Sequence, residues 1–104
     1  MSGLAATPEL RVQPQDLLAE QSVLGSIFIS PDKLITVREF VGPDDFYKYS
    51  HKVIFKAMIT LSDRNEAIDA TTVRTILDDQ GDLQNIGGLS YIVELVNSVP
   101  TSAN

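Results

Sequence analysis

One histidine, His51, and no cysteine in 104 residues leave a narrow choice of side-chain chemistry. A Ser-His-Asp or Cys-His set needs more parts than these. A catalytic or metal-binding His51 requires carboxylates that converge on it, and the nearest in sequence are Asp44 and Asp45. One reading is therefore a small acid-base enzyme that uses His51 with Asp44 or Asp45. Against it, a histidine in the first turn of a helix, two residues after Tyr49, is read as a packing or surface residue, and one His with carboxylates at this spacing is a poor zinc site. Asp44-Asp45 could form a divalent-cation pair, but after Gly42-Pro43 such acids more often satisfy the N–H groups of a short helical turn. Asp78-Asp79, with Asp82 beyond Gly81, gather near the end of a helix, where the dipole disfavours negative charge. Solvated surface is the default there, and a docking patch for a basic partner is the alternative. A phosphate-binding loop is absent, because Gly42, Gly81, Gly87 and Gly88 lack the Gly-x-x-x-x-Gly-Lys-Ser/Thr spacing that aims backbone N–H groups and a lysine at phosphates. No catalytic, cofactor or metal site is assigned.

The elements that must position these residues read as helices. Met1 to Gln13 carry no lasting period and contain Pro8, so they are expected to be a mobile tail. From Pro14 the chain reads as one domain. Leu17, Leu24, Ile27 and Phe28 fall on one side of a helix beginning near Asp16, with Gln21 inside the stripe. Ser30-Pro31-Asp32 predicts a second start, with Ser30 as N-cap, Pro31 at the first helical position and an acid next, and a short helix ending near Phe40. From Ser50 to Asp63 the apolar residues cover about 240° of the wheel at about 100° per residue, which predicts a central helix packed on two or more sides. Its polar strip holds Lys52, Lys56, Thr60 and Asp63. Asp69 is placed to cap a helix carrying Val73, Ile76 and Leu77, which Gly81 ends. After the Gly87-Gly88 break, Leu89 to Ser98 form the last helix, with Leu89, Ile92, Val93, Leu95, Val96 and Val99 on one broad apolar face. Pro100 stops it, and Thr101 to Asn104 read as a lead-in to an element the chain does not contain. No strand or hairpin signal appears. The expected fold is all-α, a compact bundle of about six short helices, with single turns near Pro43–Phe46 and Leu83–Ile86.

Lys and Arg number 8 against 14 Asp and Glu, a net charge of −6. That balance argues against the domain being the main grip on a nucleic acid, whose affinity rests on neutralised phosphates. A protein partner is favoured, although Lys48, Lys52, Lys56 and Arg64 could gather into a local basic strip. No apolar run approaches the ~20 residues that span a bilayer, and no signal peptide is present. Together with the lack of cysteine, this suggests a cytoplasmic protein without membrane contact.

Three residues could mark an interface. Gln21, polar on an apolar stripe, must be paired or partly wet, and Gly25 one turn later lets another helix approach closely. Both are assigned to packing, with subunit contact as the alternative. Tyr91, at the rim of an apolar helix face just after a Gly-Gly break, is the amphipathic kind of side chain that interfaces favour, although many such tyrosines only close the edge of a core.

The ordered strings Ala19-Glu20-Gln21-Ser22-Val23-Leu24-Gly25, Asp45-Phe46-Tyr47, His51-Lys52-Val53-Ile54-Phe55, Ile68-Asp69 with Thr72-Val73, Ile86-Gly87-Gly88 with Tyr91, and Val99-Pro100-Thr101 with Ala103-Asn104 closely resemble the N-terminal domain of the bacterial replicative DNA helicases, the DnaB family. The likeness runs from about Pro14 to Asn104. Many relatives have a proline pair where this chain has Gln13-Pro14, and Gly and Pro where it has Asn65 and Ala67, which puts local turn geometry in question.

The resemblance implies a non-catalytic collar domain of a hexameric ring at the bacterial replication fork. In this family a separate C-terminal RecA-like domain carries ATP, Mg and the DNA-translocating loops, so no cofactor and no strong DNA binding are expected in this chain. The implied partners are other helicase subunits, a DnaG-type primase and a helicase loader. The family follows its helical head with a helical hairpin through which subunits pair, so residues 14–104 are expected to be the head alone. The tyrosine after the Gly-Gly break is a position that the family associates with primase, which makes Tyr91 the partner-binding candidate. Phe46, His51, Phe55, Asp69, Gly87 and Gly88 are read as scaffold beside Gln21 and Gly25. The alternative is a freestanding helical adaptor, such as the helicase-binding domain at a primase C-terminus.

Overall fold

Helix signals and stop signals alternate along the chain, and the structure follows them. The computed structural model describes residues 14–99, with the backbone alone for 14–16. The tail expected over Met1–Gln13, the stop at Pro100 and the lead-in Thr101–Asn104 lie outside the described residues. Among those described, five α-helices form: α1 (Pro14–Ile29), α2 (Lys33–Val37), α3 (Tyr49–Asp63), α4 (Ala70–Asp79) and α5 (Gly88–Val96). Single 3-10 turns stand at Pro43–Asp45 and Gln84–Ile86. There is no strand among the described residues, so the fold is all-α, as expected.

The central helix is α3. It buries His51, Ile54, Phe55, Ala57, Met58 and Leu61 and is contacted by α1, α4 and both 3-10 turns. Its end is closed by Asn65 in the left-handed region, φ 57°, with Glu66 N–H donating to the Leu61 carbonyl at 2.9 Å and Asn65 N–H to Ser62 at 3.0 Å. Asparagine visits that region with little penalty, so Asn65 makes this turn without a glycine. Next, Asp69 caps α4: its Oδ1 accepts the Thr72 N–H at 2.8 Å, while Thr72 Oγ1 accepts the Asp69 N–H at 3.0 Å. Val73, Ile76 and Leu77 are the buried residues of α4.

Two expectations need correction. Ser30 is not the N-cap of α2: its N–H closes the last turn of α1 on the Ser26 carbonyl at 2.8 Å, and its carbonyl accepts the Lys33 N–H at 2.9 Å in a turn that precedes the helix. The regular helix begins at Lys33 instead, after Asp32 without a side-chain cap, and it ends at Val37; the stretch to Phe40 continues only as hydrogen-bonded turns. The broad apolar face of the last helix is likewise only partly covered. Ile92 and Leu95 are buried, whereas Leu89 and Val93 remain 44% and 43% exposed. α1 and α4 both pack on α5, and they leave the strip carrying Leu89 and Val93 partly open.

The approach of α1 to α5 is set by Gly25. A Cβ there would stand 2.5 Å from Val99 Cγ2 and 2.6 Å from the Leu95 carbonyl oxygen, and a backbone carbonyl cannot rotate aside. Helix propensity alone would make Gly25→Ala stabilising by up to about 1 kcal/mol. Overpacking reverses the sign, and the expected net cost is about 1–3 kcal/mol. Urea denaturation of Gly25→Ala beside Ser22→Ala, an exposed position on the same helix expected to move by less than about 0.5 kcal/mol, checks this.

Candidate functional site

The first turns of α3 and α5 and the middle of α1 meet at a buried polar cluster. His51 is fully buried. Its Nδ1 lies 2.6 Å from Glu20 Oε1, and its Nε2 lies 2.7 Å from Tyr91 Oη. A carboxylate accepts, so Nδ1 carries the hydrogen and donates to Glu20; Nε2 of the neutral ring then accepts from the Tyr91 hydroxyl. Glu20 is itself 87% covered and accepts the Tyr47 N–H on Oε2 at 2.6 Å and the Lys48 N–H on Oε1 at 3.4 Å. α3 has no side-chain cap of its own, so a carboxylate from another helix stands at its positive end.

Tyr91 reaches His51 because of the turn before it. Gly87 and Gly88 have φ of 104° and 73°, and a Cβ on Gly87 would press to 3.1 Å from Tyr91 Cβ. The Tyr91 and His51 rings lie nearly parallel, 19° apart with centroids at 6.0 Å. Phe46 meets the His51 ring edge-on at 6.3 Å and leans on Phe55 at 5.0 Å, which closes the apolar side. On the open side the Lys48 ammonium stands 4.7 Å above the Tyr91 ring and 3.5 Å from its hydroxyl, within cation–π range.

Burial pushes the His51 imidazole below its ordinary value of 6.5. The hydrogen bond to Glu20 and its charge oppose that push, and the Lys48 charge reinforces it. The Glu20–His51 contact is therefore a hydrogen bond to a neutral ring near pH 7, not an ion pair.

The structure redistributes the residues singled out from sequence. The carboxylate that reaches His51 is Glu20, 31 positions away, and not Asp44 or Asp45. Asp45 instead accepts the Gly42 N–H at 2.7 Å, inside the Pro43–Asp45 turn. Asp82 accepts from the Tyr49 hydroxyl at 3.0 Å, a bond that raises the Tyr49 pKa, while Asp78 and Asp79 are exposed. Gln21 is half-buried on α1. Of the candidate basic strip, Lys48 lies on Tyr91, Lys52 donates to the Asp44 carbonyl at 3.2 Å, and Lys52 and Lys56 share a groove of about 380 Å³ with Asp44 and Asp82, so acids interleave with these lysines. A second open groove, about 480 Å³, is lined by Glu20, Asp44, Asp45, Phe46 and Lys52 among others, but not by His51, so the imidazole has no access to it. Among the described residues, no group of three or more His, Asp or Glu gathers as a metal site, and no helix is long and apolar enough to cross a membrane.

Glu20 and Lys48 were missed from sequence. The signal for Glu20 was present: it precedes Leu24 and Ile27 at i+4 and i+7, so a carboxylate falls on the buried stripe of α1 and must find a partner.

The sequence model of the DnaB-like helicase N-terminal domain matches residues 12–104. The chain belongs to that family. It is similar to the replicative DNA helicase DnaC of Bacillus subtilis, 47% identical over 90% of this chain and 21% of the relative, and to the replicative DNA helicase DnaB of Geobacillus stearothermophilus, 45% identical over the same shares. The chain thus spans about a fifth of the length of the curated relatives it matches. The crystal structure of the N-terminal domain of DnaB helicase from Mycobacterium tuberculosis superposes with a TM-score of 0.80 at 46% identity, covering 88% of this chain and 63% of that one. The all-α fold is therefore the DnaB N-terminal fold.

For this DnaB-type domain, the buried imidazole makes stability depend on pH. Above pH 6.5 folded and unfolded chains both hold His51 neutral, and that contribution is fully present. As pH falls, the unfolded chain binds a proton first, so stability is lost from there down through the lower folded value. Urea midpoints measured between about pH 7.5 and 5 are expected to decline, and a folded His51→Gln variant is expected to decline less.

Proposed function

We propose that this chain is the non-catalytic collar domain of a hexameric replicative helicase, supporting ring assembly and offering a docking face to a DnaG-type primase through Tyr91. The observation that carries the docking part is the setting of Tyr91: its hydroxyl is tied inward to a buried histidine, while its ring stays half-exposed under the Lys48 ammonium. Membership of the DnaB-like family supports the wider reading and favours the helicase over a freestanding primase-type adaptor, since the relatives bear the name replicative DNA helicase.

On this reading, residues 14–104 are the head and Met1–Gln13 its tail. Strand separation, ATP and Mg belong to a RecA-like domain of the parent protein, in the bacterial cytoplasm. The glycines of this chain have no phosphate-loop spacing and no following lysine, so they provide no cradle for a nucleotide. The net charge of −6 suits a domain that leaves the DNA to other parts of the ring. A helicase loader, like the primase, would act on the assembled hexamer.

Calorimetric titration of the chain with the helicase-binding domain of its cognate primase is expected to saturate, and a folded Tyr91→Ala variant to bind at least about tenfold more weakly. Absence of binding by the unmodified chain would remove the docking reading. Sedimentation should find the chain as a monomer or weak dimer at micromolar concentration; a stable hexamer would place the ring contacts within these residues.

A further inference from the structure

Tyr91 is not simply an exposed aromatic. Its hydroxyl has two neighbours, the His51 Nε2 at 2.7 Å and the Lys48 Nζ at 3.5 Å, and they make different demands on it. Lysine only donates, so the hydroxyl oxygen faces Lys48 as an acceptor while its hydrogen goes to Nε2. This assignment requires His51 to keep its own hydrogen on Nδ1, and Glu20 Oε1 at 2.6 Å from that atom enforces it. Glu20 is held in turn by the Tyr47 N–H. Every bond of the chain from Tyr47 to Lys48 has one sense while the ring is neutral.

A proton added to His51 breaks that order. Nε2 becomes a donor, the Tyr91 oxygen faces two donors at once, and its own hydrogen must turn away. The new charge also sits beside the Lys48 ammonium, and like charges at that spacing repel. The titratable and charged groups that face His51 are Glu20 from α1, Lys48 at the entry to α3 and Tyr91 from α5, with Phe46 and Phe55 supplying only ring carbons. Glu20 alone favours the proton. Asp44, Asp45 and Lys52 line the groove beside Glu20 but do not touch the imidazole.

We propose that Glu20 and His51 are positioning residues for the Tyr91 face: they hold the Tyr91 hydroxyl inward as a donor to Nε2 with Lys48 over the ring, and protonation of His51 reverses that bond and releases Lys48. The face offered to a partner is then a tyrosine ring and a lysine ammonium in fixed relation, available in the neutral form of His51 and lost in the protonated one. The gating of docking rests on the docking reading above; the relay itself does not.

The test is a pH series on the whole chain by NMR, following the His51 ring nitrogens and the Tyr91 ring carbons, with primase titrations at two pH values on either side of the His51 midpoint. The neutral chain is expected to show hydrogen on Nδ1 and none on Nε2. Tyr91 resonances should move with the His51 midpoint, and Lys48→Met should raise that midpoint by removing the repulsion. Primase binding should weaken by about tenfold below the midpoint, the loss expected for one contact of hydrogen-bond strength, and a folded His51→Gln variant should bind without this pH dependence. Because His51→Gln exchanges a buried ring, Tyr91→Phe serves as the second variant. It keeps the ring but takes from Nε2 both the donor of the neutral form and the acceptor of the protonated one, so the ring resonances at position 91 and primase binding should lose most of their dependence on the His51 titration. Hydrogen on Nε2 in the neutral chain, or Tyr91 resonances that ignore the His51 titration, would overturn the relay even where Tyr91→Ala weakens docking. Binding that stays constant while His51 titrates would overturn its gating of the partner. Tyr91 tracking His51 without binding at any pH would support the relay and overturn the docking reading instead.

Discussion

A fully buried imidazole has two ring nitrogens, and each must find a partner inside the protein. Leaving one unsatisfied costs about 1–3 kcal/mol, a large fraction of the stability of a domain this size. In this fold the partners come from two other helices, Glu20 on α1 and Tyr91 on α5. One side chain on α3 thereby ties three helices to a single arrangement. The tie extends into the backbone, because the Glu20 carboxylate also takes the N–H groups of Tyr47 and Lys48 where the chain turns into α3. Apolar packing by Phe46 and Phe55 on the ring could tolerate small sliding of helix on helix, but directed hydrogen bonds near 2.7 Å do not.

The same arrangement explains where glycine is needed. Glu20 and Tyr91 meet through His51 at one level; five residues further along α1, Gly25 lies against Leu95, Ser98 and Val99. Numbers rise along both helices, so α1 and α5 run in the same direction. Five residues of helix advance about 7.5 Å, which makes the interface polar at one level and steric at the next. A side chain at Gly25 would lever the helices apart there and lengthen the contacts at His51. The left-handed turn at Gly87 acts at the other end of α5, letting Tyr91 stand 3.1 Å from the position a Cβ would take.

Most of this fold was legible in the sequence, for reasons that are local. Asp69, Gly81, Gly87-Gly88 and the apolar wheel of α3 each act within a few residues, and the elements they announce are found. The errors arose where an element depends on its neighbour. Ser30 has the chemistry of an N-cap, but its N–H closes α1 and its carbonyl opens only a turn ahead of α2; Leu89 and Val93 have the chemistry of a core, but 44% and 43% of each stays exposed. At the candidate site, His51 and Tyr91 were singled out separately, one as scaffold and one as a contact, and their link is a tertiary fact. By sequence distance the histidine's carboxylate would be Asp44 or Asp45. Stripe position on α1 pointed to Glu20, because a charge in line with Leu24 and Ile27 has to be paired.

For the docking proposed for Tyr91, a side chain held in this way has an advantage that exposure alone does not give. An aromatic side chain has few torsions to lose on binding, and one whose hydroxyl is already fixed loses fewer still. Lys48 would be a poor anchor by itself, since its flexible stem carries a large rotamer entropy; over the Tyr91 ring, part of that freedom is already gone. The polar relay therefore converts core stability into a preset surface geometry. The buried scaffold and the half-exposed Tyr91 ring are one hydrogen-bonded unit here, so a substitution at Glu20 or His51 reaches the surface without lying on it.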